Sequence, residues 1–281
     1  MAQIDSYVIV GAGGMLGTAW TKLLQAQALS HRCFDLPELD LNNPATIDAA
    51  VPEGTRVVIN CAAYTNVDGA EDHEDLANAI NAEGVAKLAA RCEAVGASLI
   101  HYSTDYVFDG SATAPYSVDH AHSPVNAYGR SKAKGEKHLE ASGADYLLIR
   151  TSWVYAPWAK NFVLTMVTLG ETKASLNVVN DQRGRPTSAE HLAATSLKLL
   201  QADARGTYHV GDGGDCTWYE FADTIMRSRN NGCKVEPCTT AEFPLPARRP
   251  TYGVLDLSKT ETLVGTLPSW QENLEAVLKQ L

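Results

Sequence analysis

Four residues, Tyr7 to Val10, form an apolar run that leads straight into Gly11-Ala12-Gly13-Gly14-Met15-Leu16-Gly17, and a helical pattern of Trp20, Leu23, Leu24 and Ala28 follows at once. The order is strand, turn, helix. Glycine is needed where the backbone reverses sharply, where it must approach a pyrophosphate, and where the helix packs on the strand. The helix N-terminus then offers free N–H groups to the anion. Gly11, Gly13, Gly14, Met15, Leu16 and Gly17 are thus the candidate phosphate cradle. The spacing Gly11, Gly14, Gly17 departs from the Gly-x-Gly-x-x-Gly of the common dinucleotide fingerprint, although Gly13 lies in the same turn.

A second strand, His31 to Phe34, ends at Asp35. An acidic residue about 20 positions past the glycines suits an adenosine ribose 2′-hydroxyl, and a turn or helix-cap aspartate is the competing reading. Asp40 and Leu41 precede Asn42-Asn43-Pro44, a turn that opens a helix at Ala45; they either border an adenine or begin that helix. The third strand, Val57 to Asn60, runs into Cys61-Ala62-Ala63-Tyr64-Thr65, small residues that let a flat ring approach. A long helical region carries Leu76, Ile80, Val85, Leu88 and Ala89 and stops at Gly96, with Asn81 read as a satisfied buried polar group. A fourth strand, Ser98 to Tyr102, reaches Ser103-Thr104-Asp105-Tyr106.

This alternation implies an α/β fold with a parallel, right-handed, doubly wound sheet of Rossmann type. Residues 1–152 are expected to form the nucleotide-binding domain. Residues 178–211 should return to it through Val178, Val179, a helix from Ala189 to Leu200 and a strand from Thr207 to Val210. Residues 153–177 and 212–281 should build a smaller, intertwined substrate lobe, with helices from Trp218 to Arg229 and Trp270 to Leu281.

Tyr128-Gly129-Arg130-Ser131-Lys132 puts a phenol and an ammonium four residues apart, on one face of a helix. A free Tyr has a pKa of about 10, and a close cation favours the phenolate, so such a pair can move a proton near neutral pH. Alone the pattern is weak, since any helix surface can carry it. Thr104, at the end of the fourth strand, supplies a hydroxyl able to face the phenol across a bound carbonyl.

Gly11-x-x-Gly14-x-x-Gly17, Ser103-Thr104-Asp105-Tyr106-Val107-Phe108-Asp109-Gly110 and Tyr128-Gly129-x-Ser131-Lys132 together resemble the extended short-chain dehydrogenase/reductase superfamily and, within it, the dTDP-4-dehydrorhamnose reductase family. Ala62-Ala63-Tyr64-Thr65-Asn66-Val67-Asp68, Arg150-Thr151-Ser152-Trp153-Val154-Tyr155 and Asn180-Asp181-Gln182-x-Gly184-x-Pro186-Thr187 agree with that family, so the similarity spans nearly the whole chain. The resemblance implies reduction of a nucleotide-linked 4-keto sugar by NADPH, with NADH also accepted. Tyr128 would be the proton donor, Thr104 the partner of the carbonyl oxygen, and Lys132 the holder of the nicotinamide ribose. Ala62, Ala63, Tyr64 and Thr65 would lie near the cofactor, while Thr65, Thr104, Asp105, Tyr106 and Trp153 would contact the sugar.

Two rivals are discriminated in the sequence, while a third, a nucleotide-sugar epimerase, stays open and would be favoured by one bound cofactor per purified chain, since an epimerase retains NAD through its cycle. Family dehydratases carry Asp-Glu after the matching Thr, whereas here Asp105 is followed by Tyr106, which leaves no base for water elimination. The non-catalytic partner of methionine adenosyltransferase also resembles this family, yet Thr104, Tyr128 and Lys132 all remain here. Some family members pair through magnesium held by three glutamates. In this chain only Glu190 matches, the other two positions being Ala19 and Gln280, so no structural magnesium is expected.

With 33 acidic against 23 basic residues the formal charge is −10, which argues against general nucleic-acid binding. A nucleotide-sugar substrate is itself anionic, so local arginines must hold its diphosphate. Arg183, Arg185, Arg248 and Arg249 are the candidates, and Arg249 matches a family arginine that precedes proline. His120 and His122 with Asp119 admit a metal reading, but a single His-x-His in a polar loop is expected to be solvent-exposed. The six cysteines show no Cys-x-x-Cys spacing, and no stretch of 18 apolar residues occurs, so a cytoplasmic chain with reduced thiols, no leader and no membrane span is expected. A homodimer is compatible with the sequence.

Overall fold

The computed structural model describes residues 7–230 and 232–281; the N-terminal edge of the expected nucleotide domain, residues 1–6, lies outside them. Strand β1 (Tyr7–Val10) passes through the glycine turn into α1 (Met15–Ala26). Then come β2 (His31–Phe34), α2 (Pro44–Ala50), β3 (Val57–Asn60), α3 (Gly69–Asp72), α4 (Glu74–Asn78), a π-helical turn at Ala79–Glu83, and α5 (Gly84–Val95). Next are β4 (Ser98–Thr104), α6 (Ala127–Glu140), β5 (Tyr146–Thr151), β6 (Val154–Tyr155), α7 (Phe162–Thr172), β7 (Ser175–Val179), β8 (Arg183–Gly184) and β9 (Thr187–Ser188). The chain continues through α8 (Ala189–Gln201), β10 (Gly206–His209), β11 (Cys216–Thr217), α9 (Trp218–Arg229), β12 (Lys234–Cys238), α10 (Ser258–Val264) and α11 (Trp270–Leu278).

Among the described residues six strands form one parallel sheet in the order β10-β5-β4-β3-β1-β2. Central β3 is buried at every residue, as a strand covered on both faces must be, and edge β2 is partly open. Trp20 and Leu24 of α1 pack with Leu192 and Leu197 of α8 on one face, while Ile47, Leu88 and Leu139 cover the other. The winding reverses between β1 and β3. Val10 is level with Asn60 and Asn60 with His101, so β1 and β3 end side by side while β4 runs on to Thr104, and this switch point is where such sheets bind ligands.

One expectation fails. Val178 and Val179 do not return to the nucleotide domain. Their strand β7 lies outside the six-stranded sheet and pairs in parallel with β12, and Val178 packs with Tyr155, Phe221 and Ile225. The helical region before Gly96 runs unbroken from Glu74 to Val95 as expected, with the π turn inside it and Leu76 exposed, and Gly96 ends it at φ +71°. Among the described residues no helix is long and apolar enough to cross a membrane.

Candidate active site

The glycine turn is pinned from β2: the N–H groups of Gly11 and Ala12 both donate to the Phe34 carbonyl, at 2.8 and 3.2 Å. Gly11 has φ +77°, and a Cβ there would lie 2.7 Å from the Ala62 nitrogen; one on Gly17 would lie 2.1 Å from the Gly11 oxygen. Only glycine fits this crossing of turn, helix and the end of β3. Helix α1 begins at Gly14 with no side chain capping it, so its first amides are left to an anion. The cradle therefore fits a dinucleotide pyrophosphate.

Asp35 follows β2 as expected, and its Oδ2 accepts from the Gly13 N–H at 2.5 Å, which brings the carboxylate to the turn. Arg32, on the same strand β2, lays its guanidinium over the Phe34 ring at 4.7 Å. Asp40 accepts from the Asn42 N–H at 2.8 Å and shapes the turn before α2, while Leu41 is buried against α5, where a Cβ on Gly84 would meet its Cβ at 2.8 Å.

At the end of β3 the Asn60 carboxamide accepts from the Ala62 N–H at 3.1 Å, and Ala62, Ala63, Tyr64 and Thr65 run along the rim. Asn81 is buried and satisfied, as the sequence suggests, and it also positions the loop. It grips the Tyr64 backbone through both amide atoms, at 2.9 and 3.0 Å, and donates to Ser131 Oγ of α6 at 2.9 Å. The π turn that carries Asn81 is a device that recurs at functional sites.

Helix α6 is capped twice. Asn126 accepts from the Gly129 N–H at 2.7 Å, and Glu71 from the Ala127 N–H at 2.8 Å. A Cβ on Gly129 would lie 2.2 Å from the Tyr106 carbonyl oxygen, so the helix backbone rests directly on the turn after β4. That approach brings Tyr128 to Thr104 and Tyr106. The Tyr106 and Tyr128 rings meet edge to face with centroids 5.9 Å apart. Thr104 donates to Asp105 Oδ1 at 3.0 Å and accepts from the Tyr106 N–H at 3.1 Å.

The electrostatics differ from the sequence expectation. Burial, followed by the Asp105 charge, pushes the Tyr128 phenol up from its ordinary value against a hydrogen bond with Thr104. The Lys132 ammonium does not draw the phenol down; it is 2% exposed and donates to the Tyr102 carbonyl at 2.6 Å. Burial lowers Lys132 to about 8, with Glu136 opposing. Asp105, also buried, rises to about 7 against hydrogen bonds from Thr104 and the backbone. The phenol is thus held protonated, in the form that gives a proton away.

Three of the four candidate arginines are engaged within the chain. Arg249 forms a fork on Asp68, both N–O distances 2.9 Å, and Asp68 also accepts from the Ala247 N–H. Arg183 pairs with Asp215 and Glu220, Arg185 donates to the Leu255 and Gly214 carbonyls, and Arg248 is exposed. Trp153, at φ +48°, stacks on Trp218 with centroids 3.6 Å apart.

His122 is not a solvated loop residue: its Nε2 lies 2.9 Å from both Glu136 Oε2 and Arg150 Nη2, in a cluster that burial of Glu136 demands. Glu190 accepts from the Gln280 amide at 3.2 Å, and Ala19 is packed between α1 and α8. Among the described residues no group of three or more His, Cys, Asp or Glu is placed to hold a metal. Glu71, Asp68 and Asn126 were not assigned from the sequence. Asp68 ends the motif that begins at Ala62, Glu71 lies in the first turn of α3, and Asn126 caps α6, a cap position that was the available signal.

An open helix N-terminus at the switch point of a parallel sheet, with a protonated phenol and a buried lysine on the helix beside it, is the arrangement of the Rossmann-type short-chain dehydrogenase/reductases. A family model described as RmlD substrate binding domain matches residues 6–281. A dTDP-4-dehydrorhamnose reductase from Burkholderia thailandensis is 37% identical over 285 residues, which cover 94% of this chain and 95% of that protein. The crystal structure of a dTDP-4-dehydrorhamnose reductase from Clostridium acetobutylicum superposes with a TM-score of 0.94 at 40% identity, covering 98% of each chain. That of the Bacillus anthracis dTDP-4-dehydrorhamnose reductase, in complex with NADP, gives 0.93 at 37% identity, covering 99% of this chain and 100% of its own. The chain belongs to the dTDP-4-dehydrorhamnose reductase family.

Proposed function

We propose that this protein reduces the 4-keto group of dTDP-4-dehydro-L-rhamnose to give dTDP-L-rhamnose, a precursor of cell-surface polysaccharide. The observation that carries the reading is the position of the Tyr128 phenol, set beside Thr104 and edge to face with Tyr106 at the mouth of the sheet. NADPH, when bound on the glycine cradle, supplies the hydride. Tyr128 donates its proton to the carbonyl oxygen as charge develops there, and Thr104 hydrogen-bonds the same oxygen. Lys132 holds the nicotinamide ribose. Ala62, Ala63, Tyr64 and Thr65 border the nicotinamide end, while Asp35 meets the adenosine ribose and makes NADH a second acceptable cofactor. Asp105, Tyr106, Trp153 and Thr65 line the sugar, and Arg249 serves its diphosphate.

The six-stranded sheet handles the nucleotide cofactor, and the lobe of residues 153–177 and 212–281, with Val178 and Val179 added, handles the sugar. The protein acts in the cytoplasm and needs no structural magnesium. An assay of NADPH oxidation against dTDP-, GDP- and UDP-linked 4-keto sugars tests the reading. Turnover is expected with the dTDP-linked 4-keto sugar; no turnover with any of them, together with capture of a stoichiometric synthetase partner, refutes it in favour of a regulatory subunit.

A further inference from the structure

Tyr128, Lys132 and Glu136 stand one above another along α6, at steps of four residues. Glu136 is 0% exposed, yet it is a carboxylate deep in the protein. Arg150 Nε lies 3.1 and 3.0 Å from its two oxygens, Arg150 Nη2 lies 2.7 Å from Oε2, and His122 Nε2 lies 2.9 Å from the same oxygen. Arg150 is itself 2% exposed; it donates to the Val118 carbonyl at 2.8 Å and stands 3.4 Å from His209 Nε2. Taking two charges out of water costs several kcal/mol per ion, and aliphatic side chains of similar volume would join α6 to β5 as well or better. The pair is therefore expected to serve something other than packing.

What lies one helical turn above it is an ammonium. Lys132 donates to a neutral carbonyl, and a buried lysine so placed sheds its proton unless a negative charge is near. We propose that Glu136 is a positioning residue for the reduction: its buried charge, fixed by Arg150 and His122, keeps Lys132 protonated and its ammonium in register with Tyr128. The inference rests on the assignment of Tyr128 and Lys132 above.

The surrounding groups leave this charge to act. Burial opposes the Glu136 charge, but hydrogen bonds from His122 and Arg150 and the Arg150 charge outweigh it and hold the carboxyl at about 2, so it is ionised at every working pH. His101 of β4 faces Lys132, and burial, then the Lys132 charge, keeps it well below the ordinary imidazole value. His209 of β10 faces Arg150 and falls to about 3 through burial and the guanidinium charge. On the outer side a cleft of about 400 Å³ is lined by Asp119, His120, His122, Glu140, Arg150 and Lys259. Glu136 is thus the acidic group that acts on Lys132.

The test is NMR titration of lysine labelled at Cε and Nζ in the cofactor-free protein, with the Lys132 signal identified by its loss in Lys132→Met. In Glu136→Gln the Lys132 midpoint is expected to fall by about one pH unit or more, and the alkaline limb of NADPH oxidation to move with it while turnover on the acid side persists. Glu136→Asp, which restores the charge, should recover most of the shift. If Glu136→Gln does not fold, the double variant Glu136→Met with Arg150→Met replaces the buried pair by side chains of similar volume and should show the same fall. A midpoint unmoved in the folded variant, or a uniform loss of activity with an unmoved alkaline limb, overturns the inference. Because the titration needs no turnover, it reports on Glu136 even if Tyr128 proves dispensable.

Discussion

Gly17→Ala adds one methyl group at the tightest point of the phosphate turn. Its Cβ would lie 2.1 Å from the Gly11 oxygen, 2.6 Å from the Ala12 Cα and 2.8 Å from the Ala12 carbonyl carbon. All three are backbone atoms, so no side chain can swing aside, and the nearest falls more than an ångström short of ordinary contact at roughly 3.5 Å. Relief requires opening the turn, which strains the Gly11 and Ala12 hydrogen bonds to Phe34. Overpacking of this kind costs about 1–3 kcal/mol. If the turn absorbs that cost in its binding geometry, NADPH affinity should fall by roughly 5- to 150-fold, at about 1.4 kcal/mol per tenfold. Gly14→Ala is the internal control, since its Cβ would meet only the Gly11 oxygen, at 3.2 Å. Calorimetric titration of NADPH into the cofactor-free protein, with circular dichroism melts alongside, measures both variants. Gly17→Ala binding within twofold of wild type at an unchanged Tm would refute the reasoning.

Thr104→Val removes the hydroxyl that faces the reacting oxygen; single-turnover hydride transfer should slow by about 10²-fold with NADPH affinity nearly unchanged, and a loss of affinity alone would exclude the assigned role. Asp35→Ala should raise NADPH affinity relative to NADH in paired titrations, and an unchanged ratio would place Asp35 away from the ribose. Asp105 is raised by burial from 3.8 to about 7, so between those values the folded chain keeps a proton that the unfolded chain has lost. Its contribution to stability is complete below about pH 4 and is lost as the pH rises to 7, at most about 1.4 kcal/mol per pH unit. Asp105→Asn should flatten the fall of Tm between pH 5 and 7, and an equally steep fall in the variant would contradict this.

The bounds of β1, β2 and β3 could be read directly because β1 and β3 are short, largely apolar runs ended by a glycine or a change to small residues, and β2 stops at an aspartate. Local pattern fails where partners are remote. Val178 and Val179 look like any buried run, and only pairing with β12, more than fifty residues on, decides which lobe they join. Arg249 reads as an open fork until the fold brings Asp68, 181 positions away, onto it. The Tyr128–Lys132 spacing correctly puts both residues on one face but says nothing of what each head group touches. The Tyr102 carbonyl takes the ammonium, and burial therefore governs the phenol. Glu136 was within reach, four residues beyond Lys132, but its meaning depends on Arg150 arriving from β5.

The central claim is that the Tyr128 phenol delivers the proton during reduction. Tyr128→Phe removes the hydroxyl and almost no volume, so rapid-mixing measurement of NADPH oxidation with dTDP-4-dehydro-L-rhamnose isolates the chemical step. The rate is expected to fall by about 10²–10⁴-fold, with the circular dichroism spectrum and NADPH affinity unchanged. A variant that keeps more than about a tenth of the wild-type rate would contradict the account.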